Sequence, residues 1–191
     1  MPRSSWNISA RQIRHAVHIL KQGGLIAYPT EAVFGLGCLP DKTETIKRLL
    51  QLKHRPKEKG LILLASELSQ LEPYIDYLTP DILQKIQSSW PGPTTWILPT
   101  PVTTSPLIRG NFNTIALRIS AHPIVRELCD QCQSPIISSS ANLTGKKMSY
   151  NALDVRLQFK THLDYILNGP LGDSNNPSVI KDAITDQVIR Y

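Results

Sequence analysis

Short apolar runs alternate along this chain with segments whose apolar residues recur at helical spacing, and this alternation restricts the fold more than any other feature. Residues 25–28 and 60–65 are apolar runs of the kind that form buried strands. Helical spacing precedes the first run, where Ser9 can cap a helix, and follows it, where Thr43 can cap another. Because strands and helices interleave, the sequence predicts an α/β sheet.

The rest of the chain continues the pattern. We predict a short helix within residues 68–78, a helix opening at Thr79-Pro-Asp81, a strand over 114–119, a helix over 123–132, a strand over 135–137, a helix over 151–159, and strands over 164–167, 178–181 and 187–191. A chain of 191 residues is long enough for one core and too short for two ordinary domains. We therefore predict a single domain over residues 1–191.

Composition limits the partners and the compartment. The net charge of +6 and the pI near 9.3 favour an anionic partner such as nucleotide phosphates or tRNA, although a mildly basic protein without a nucleic-acid role explains them equally well. No apolar run approaches the roughly 18 residues of a membrane span, and the first residues lack the apolar core of a secretory signal. We predict a cytoplasmic protein without membrane contact, in which Cys129 and Cys132 are ordinary free thiols.

The stretch from residue 25 to residue 37 is the first candidate for a functional site. Its apolar run breaks at Pro29, and Thr30 and Glu31 follow in what we predict to be a loop that closes on Gly35 and Gly37. Binding residues of α/β sheets often lie on loops at the carboxyl ends of strands. The two glycines are interpreted as backbone clearance beside a substrate.

Polar residues elsewhere in the chain can complete this site. Arg118 lies in the middle of a predicted strand, where a buried arginine must be paired or must bind an anion. Three cations near a predicted helix end and three polar residues after a strand complete the set: Lys53, Arg55, Lys57, Ser138, Ser140 and Asn142. The chain has no P-loop, dinucleotide fingerprint or nucleophile elbow. The inventory is compatible with phosphoryl or nucleotidyl transfer, in which a protein positions reactants and neutralises charge.

Five motifs follow one another in the chain: Tyr28-Pro-Thr-Glu-x-x-Phe-Gly-Leu-Gly37, Lys53-x-Arg-Pro56, Pro91-Gly-Pro-Thr94, Ala116-Leu-Arg-Ile119 and Ser138-x-Ser-Ala-Asn-x-x-Gly145. Together they resemble the YrdC/TsaC family of threonylcarbamoyl-AMP synthases. The resemblance spans nearly the whole chain and implies a single α/β domain with a twisted mixed sheet, flanking helices and a concave basic face.

The resemblance also implies an activity. Such an enzyme joins L-threonine and bicarbonate or carbon dioxide to ATP, forms threonylcarbamoyl-AMP and releases diphosphate. A tRNA-modifying transferase complex takes the product for N6-threonylcarbamoyladenosine (t6A) at adenosine 37 of tRNAs that read codons beginning with A. Mg²⁺ would accompany the ATP phosphates, and no protein residue is assigned to it.

Site residues are carried over from the resemblance by matching position. They imply a catalytic and ATP-binding tetrad of Lys53, Arg55, Ser140 and Asn142, further ATP contacts from Lys57, Thr114 and Arg190, and threonine contacts from Thr30, Arg118, Ser138 and Ser178. Glu31 can orient a metal or the threonine amine, or it can brace its own loop. The chain departs from the usual family residues at Val179 and Lys181.

One alternative of a different class stays open at this point. A non-enzymatic module could use the same basic concavity to bind tRNA or double-stranded RNA during RNA maturation, with contacts mainly to the phosphate backbone. Direct tRNA binding by an enzyme of the first kind is also left open.

Overall fold

The computed structural model describes residues 8–174 and 176–190. Within them nine strands form one mixed sheet, in the order β7-β1-β2-β6-β3-β5-β4-β8-β9. The strands are β1 (Ile26–Pro29), β2 (Phe34–Gly37), β3 (Ile62–Ala65), β4 (Thr94–Pro99), β5 (Thr114–Ile119), β6 (Ile136–Ser140), β7 (Tyr165–Ile166), β8 (Val179–Asp182) and β9 (Val188–Arg190). Three neighbouring pairs are parallel, namely β1 with β7, β3 with β5 and β4 with β8. The predicted α/β class with a mixed sheet is confirmed.

Six α-helices accompany this sheet in the described ranges: α1 (Ala10–Lys21), α2 (Thr43–Leu52), α3 (Pro80–Ser89), α4 (Pro106–Arg109), α5 (Pro123–Cys132) and α6 (Ala152–Phe159). The Ser9 capping box forms as predicted, and Thr79 caps α3. The predicted cap at Thr43 is wrong, since Lys42 occupies the cap position and Thr43 is the first helical residue. None of the helices in the described residues is both long and apolar enough to span a membrane.

The sheet buries both of its faces, but one face is only partly covered by helices. Ile136 of β6 packs in a cluster with residues of α1 and α5. Ser138 and Ser140 share its face, because side chains alternate along a strand, and they line a cavity. The helices α1 and α5 thus cover one part of this face, and the cavity occupies the part beside them.

Two predicted boundaries are wrong near the cavity. Residues 25–37 form a hairpin in which Ile26 pairs with Gly37 and Pro29 pairs with Phe34. The two glycines deprive β2 of the apolar alternation that marks a strand, which is why the sequence predicted a loop. Strand β6 extends to Ser140, so Ser138 and Ser140 lie within the strand and not after it.

The interpretation of the glycines as substrate clearance is also wrong for Gly37. A Cβ atom at this position would lie 2.3 Å from the Ile137 carbonyl oxygen and 2.8 Å from Cε1 of Tyr28. The missing side chain therefore allows β2 to approach β6 and the Tyr28 ring.

The helix expected within residues 68–78 is replaced by two 3-10 turns, Leu68–Gln70 and Glu72–Tyr74. Pro73 lies at the start of the second turn, and a proline is disfavoured in a helix interior because it cannot donate its backbone nitrogen.

One connection passes over the part of the sheet face that α1 and α5 leave uncovered. Residues 167–178, here called the strap, link β7 at one edge of the sheet to β8 near the other edge; Asn175 within it is not described. The Gly172 nitrogen donates to the Thr30 carbonyl (3.0 Å) and the Ser174 nitrogen donates to the Glu31 carbonyl (3.2 Å). The strap is thereby attached to the loop of the β1–β2 hairpin.

Candidate active site

A cavity of about 500 Å³ opens on the sheet face beside α1 and α5. Thr114 and Arg118 both line it from β5, four residues and therefore about 13 Å apart along the strand. We name its two ends after the arginines that line them. The Arg118 end contains Thr30, Glu31, Arg118, Ser138 and Ser178, and the Arg55 end contains Arg55, Lys59, Thr114 and Ser140.

At the Arg118 end the two opposite charges form a buried pair. Arg118 and Glu31 are 6% and 8% exposed, and Nη2 of Arg118 donates to Oε2 of Glu31 at 3.0 Å. The second carboxylate oxygen accepts a hydrogen bond from the Ser120 hydroxyl at 2.6 Å. Burial would raise the pKa of Glu31, but the Arg118 charge and the Ser120 hydrogen bond outweigh it and lower that pKa. Glu31 is therefore ionised at neutral pH.

The hydroxyl groups of this end come from three separate segments. Thr30 donates to the Val33 carbonyl at 2.7 Å within the hairpin loop. Ser178, at the end of the strap, accepts a hydrogen bond from Thr95 at 3.0 Å. Ser138 lies on β6, where the absence of a side chain at Gly35 leaves room for it. All four residues expected to contact threonine, Thr30, Arg118, Ser138 and Ser178, line the same cavity.

At the Arg55 end, Lys53 lies behind the cavity wall. It follows the last residue of α2, is 6% exposed, and donates to the carbonyl oxygen of Ser140. Its ammonium also lies 3.4 Å from Ser140 Oγ and from Asn142 Oδ1. Burial, together with the nearby Arg55 charge, lowers the pKa of Lys53 to about 8. The structure thus joins three of the four tetrad residues directly.

The fourth tetrad residue, Arg55, lines the cavity itself. Its Nε and Nη2 atoms donate to the Gly60 carbonyl at 3.1 and 2.8 Å. Gly60 has a φ of +62° and packs so closely on the backbone of α4 that a Cβ would lie 3.0 Å from the Arg109 carbonyl oxygen. A glycine is therefore required at the residue that orients Arg55.

The other residues expected around ATP are placed unequally. Thr114 lines the cavity. Lys57 and Lys59 both lie exposed in one 3-10 turn, and of these two only Lys59 lines the cavity. The backbone of Arg190 ends β9, but its side chain lies outside the described part of the structure.

Sequence reasoning missed the residues that support Arg118. Ser120 binds Glu31, and the His122 backbone nitrogen donates to Ser120 Oγ at 3.1 Å. His122 is 2% exposed, and burial lowers its pKa. The signal was present in the sequence, since Arg118, Ser120 and His122 continue one period-2 alternation beyond the end of β5.

The structure also places the two residues that depart from the usual family residues and the two cysteines. Val179 begins β8 and pairs with Thr94, and the Lys181 ammonium lies 5.9 Å from the centre of the Trp96 ring. Cys129 and Cys132 are free thiols, as predicted, and both are buried. Burial raises the pKa of Cys132 to about 11. In residues 8–174 and 176–190, no three His, Cys, Asp or Glu side chains are grouped as a ready-made metal site.

Comparison with known proteins gives a consistent result. The family model of Sua5, YciO and YrdC, described as telomere recombination, matches residues 18–191. A threonylcarbamoyl-AMP synthase of Photobacterium profundum is 48% identical over 180 residues, which cover 93% of this chain and 97% of the relative.

Solved structures share this fold. The structure of P. abyssi Sua5 complexed with L-threonine has a TM-score of 0.86 at 31% identity, and the match covers 92% of this chain and 52% of that one. The chain therefore spans about half the length of that protein. The structure of E. coli YciO has a TM-score of 0.83 at 26% identity, covering 96% of this chain and 90% of that one.

Proposed function

Because this chain belongs to the Sua5/YciO/YrdC family, we propose that it is a threonylcarbamoyl-AMP synthase, which forms threonylcarbamoyl-AMP and diphosphate from L-threonine, bicarbonate or carbon dioxide, and ATP. The observation that carries the proposal is one cavity with two chemically different ends about 13 Å apart. One end holds a balanced pair of opposite charges, and the other holds cations. A zwitterionic amino acid suits the first end, and a triphosphate suits the second.

We propose that threonine binds at the Arg118 end. Arg118 can hold the substrate carboxylate in a bidentate arrangement, as guanidinium groups commonly do. Ser138, Ser178 and Thr30 offer short hydroxyl groups from β6, the strap and the hairpin, on walls that surround the same space. Because Glu31 already balances the charge of Arg118, a neutral zwitterion can enter without leaving a net buried charge.

We propose that ATP binds with its phosphates toward the Arg55 end. Arg55 and Lys59 line the cavity there, and the Lys53 ammonium lies just behind Ser140. Among the described residues, neither Lys53 nor Arg55 forms an ion pair with a carboxylate. Their charges are therefore available to a polyanion, and Thr114 and Ser140, which line the cavity, can add hydrogen bonds. Asn142 does not line the cavity but accepts from Lys53 and Ser140, so we propose that it acts by holding these two residues. Roles for Lys57 and for the side chain of Arg190 remain part of the proposal.

The proposed reaction needs no covalent enzyme intermediate. The threonine amine takes up carbon dioxide and loses protons to give a carbamate. A carbamate oxygen attacks the α-phosphorus of ATP, and the bond from this phosphorus to the bridging oxygen breaks as diphosphate leaves. The protein holds the two reactants in line and neutralises the departing charge with Lys53, Arg55 and Lys59.

Mg²⁺ fits this site as a companion of the triphosphate. Mg²⁺ prefers oxygen ligands and usually keeps several waters, and the described residues provide no preassembled group of three ligands. Asp182, which also lines the cavity, accepts hydrogen bonds from the Ile184 and Thr185 nitrogens in a turn. Phosphate oxygens would thus be the main ligands, and a bound ion would neutralise part of the phosphate charge.

The direct test is release of diphosphate from ATP in the presence of bicarbonate and each amino acid in turn. We expect release with L-threonine and little with the other amino acids, and mass spectrometry should detect threonylcarbamoyl-AMP. Release that does not depend on threonine, or no release at all, would contradict the proposal. Tight RNA binding without diphosphate release would instead support the RNA-binding module.

The reactivity of the product indicates which process uses it. An acyl phosphate anhydride hydrolyses in water, so we propose that a tRNA-modifying transferase complex takes it up directly for t6A synthesis. Because that use lies with tRNA, we propose a cytoplasmic protein. We further propose that residues 1–191 act as one domain with a concave basic face around the cavity. Direct tRNA binding by that face is a separate proposal, which an RNA titration at several salt concentrations would test.

A further inference from the structure

Glu31 connects three segments of the cavity wall. Its side chain binds Arg118 of β5, its carbonyl accepts the Ser174 nitrogen of the strap, and it belongs to the hairpin loop. The strap packs closely at this point, since a Cβ on Gly172 would lie 2.9 Å from the Glu31 Cα. The backbone of Glu31 is therefore held between the hairpin and the strap.

The carboxylate of Glu31 is fixed as firmly as its backbone. Oε2 accepts from Arg118 Nη2, and Oε1 accepts from the Ser120 hydroxyl. The side chain is only 11% exposed. A carboxylate held on both oxygens by two different residues keeps one orientation, so Glu31 is built to stay in place and not to swing out when a ligand enters.

Only part of the hydrogen-bonding capacity of the Arg118 guanidinium is used by Glu31. Its Nη2 binds Glu31, while its Nε is buried without a hydrogen-bond partner in the described part of the structure. Leaving a buried charged donor without a partner is costly, so this donor indicates an acceptor that arrives with a ligand or with water. Arg118 as a residue lines the cavity, so its guanidinium borders the space that a ligand would enter.

We propose that Glu31 is a positioning residue, which fixes the Arg118 guanidinium so that its remaining donors meet the carboxylate of the substrate amino acid. This inference rests on the proposed function, because it assigns Arg118 to threonine. It differs from bracing of the hairpin loop, since the bonds that matter run to β5 and to Ser120. It also differs from competition, in which Glu31 would leave Arg118 when threonine binds.

The kinetic test compares Glu31→Gln with wild type. Glutamine keeps the shape but removes the charge that orients Arg118, so we expect the KM for threonine to rise about 10- to 100-fold. The KM for ATP should stay within about twofold, because Arg55 and Lys53 do not contact Glu31. Glu31→Asp restores the charge at a shorter reach and should recover part of the threonine affinity. A lower KM for threonine in Glu31→Gln would show competition and overturn the proposal.

Asp164→Asn is the matched control. Asp164 accepts from Arg48 at 2.8 Å and from the Leu25 nitrogen at 2.6 Å, and it does not line the cavity. Losing this pair should lower stability while the KM for threonine stays unchanged. An equal rise of the KM in Asp164→Asn and in Glu31→Gln would mean that general destabilisation causes both, and it would overturn a specific role of Glu31.

A second measurement does not depend on catalysis. The buried Nε–H of Arg118 should give a slowly exchanging signal in a nitrogen-15 NMR spectrum, identified by its loss in Arg118→Lys. We expect Glu31→Gln to broaden or shift this signal and Asp164→Asn to leave it unchanged. If the wild-type protein shows no threonine-dependent diphosphate release, the proposed function fails, and this signal alone decides the orienting role. An unchanged signal in Glu31→Gln would overturn it.

Discussion

The two ends of the cavity differ in how the protein compensates a buried positive charge. At the Arg118 end, Arg118 and Glu31 form a pair whose second carboxylate oxygen binds Ser120. At the Arg55 end, the Lys53 ammonium is equally buried, but its described partners are a carbonyl, a hydroxyl and an amide oxygen. One end is therefore electrically balanced without a ligand, and the other carries positive charge that neutral acceptors stabilise only in part.

This difference separates stability from function. A charge that is paired with the protein contributes to folding, and removing one partner leaves the other buried and uncompensated. A buried cation without a carboxylate partner lowers the free energy of unfolding. An anionic ligand that compensates this charge binds to the folded state and thereby stabilises it. We therefore expect substitutions at the Arg118 end to reduce stability and activity together, and substitutions at the Arg55 end to reduce activity alone.

The largest effect is expected from Arg118→Met. It removes the proposed carboxylate-binding group and leaves Glu31 buried without its partner, so the free energy of unfolding should fall by about 3 kcal/mol in urea denaturation at neutral pH. Threonine-dependent turnover should be lost. The double variant Glu31→Met with Arg118→Met removes both charges and should regain much of the stability but none of the turnover. A loss below about 1 kcal/mol in the single variant would contradict the pairing argument.

Lys53→Met should have the opposite profile. The methionine side chain matches lysine in length and avoids burial of an ammonium, but it leaves the Ser140 carbonyl and Asn142 Oδ1 without this donor. The two effects oppose each other, so the free energy of unfolding at neutral pH should change by less than about 1 kcal/mol. The kcat/KM for ATP should fall about 100-fold, which corresponds to the loss of a charge-assisted contact to phosphate. Urea denaturation and diphosphate release measure the two quantities. A strong loss of stability would make Lys53 a structural residue.

Most helices and strands were predictable from the sequence, but the contacts between the residues of the site were not. The alternation in residues 114–119 and the capping box at Ser9 are local signals, and the structure confirms both. The hairpin was missed because Gly35 and Gly37 erase the pattern of β2. The pair between Glu31 and Arg118 could not be derived, since it depends on how the hairpin and β5 meet in space. Only the requirement that Arg118 should have a partner or an anion was accessible from sequence.

Lysines 53, 57 and 59 illustrate the same limit. They are close in sequence, so position along the chain gave no reason to separate them. Lys57 and Lys59 are both exposed and lie in one 3-10 turn next to α4, but Lys59 lines the cavity and Lys57 does not. Such a distinction arises from tertiary packing, which no local pattern in this segment records.

The pH dependence of stability should reveal the buried ammonium of Lys53. The pKa of Lys53 lies near 8 in the folded protein and at 10.5 in an ordinary lysine. Between these values the unfolded chain binds more protons than the folded one, so the free energy of unfolding should rise as pH increases from 8 to 10.5, by up to about 3 kcal/mol. Below pH 8 the lysine is charged in both states, so the cost of burying its ammonium lowers the free energy of unfolding by the full amount. The measurement is urea denaturation across the window, compared with Lys53→Met, which should lack this contribution. Identical slopes would contradict the assignment.

Ionic strength should produce the smallest effect and separate the ends most cleanly. ATP carries several negative charges and meets cations without carboxylate partners, so added salt should weaken its approach and binding. We expect the KM for ATP to rise about two- to fivefold between roughly 0.05 M and 0.5 M potassium chloride. Threonine is a zwitterion without net charge and meets a pair that is already balanced, so its KM should stay constant within about 1.5-fold over the same range. Initial rates of diphosphate release at several salt concentrations give both values, with ATP saturating in one series and threonine in the other. A threonine KM that rises as steeply as the ATP KM would mean that Arg118 carries net charge toward the ligand, and the contrast between the two ends would then be wrong.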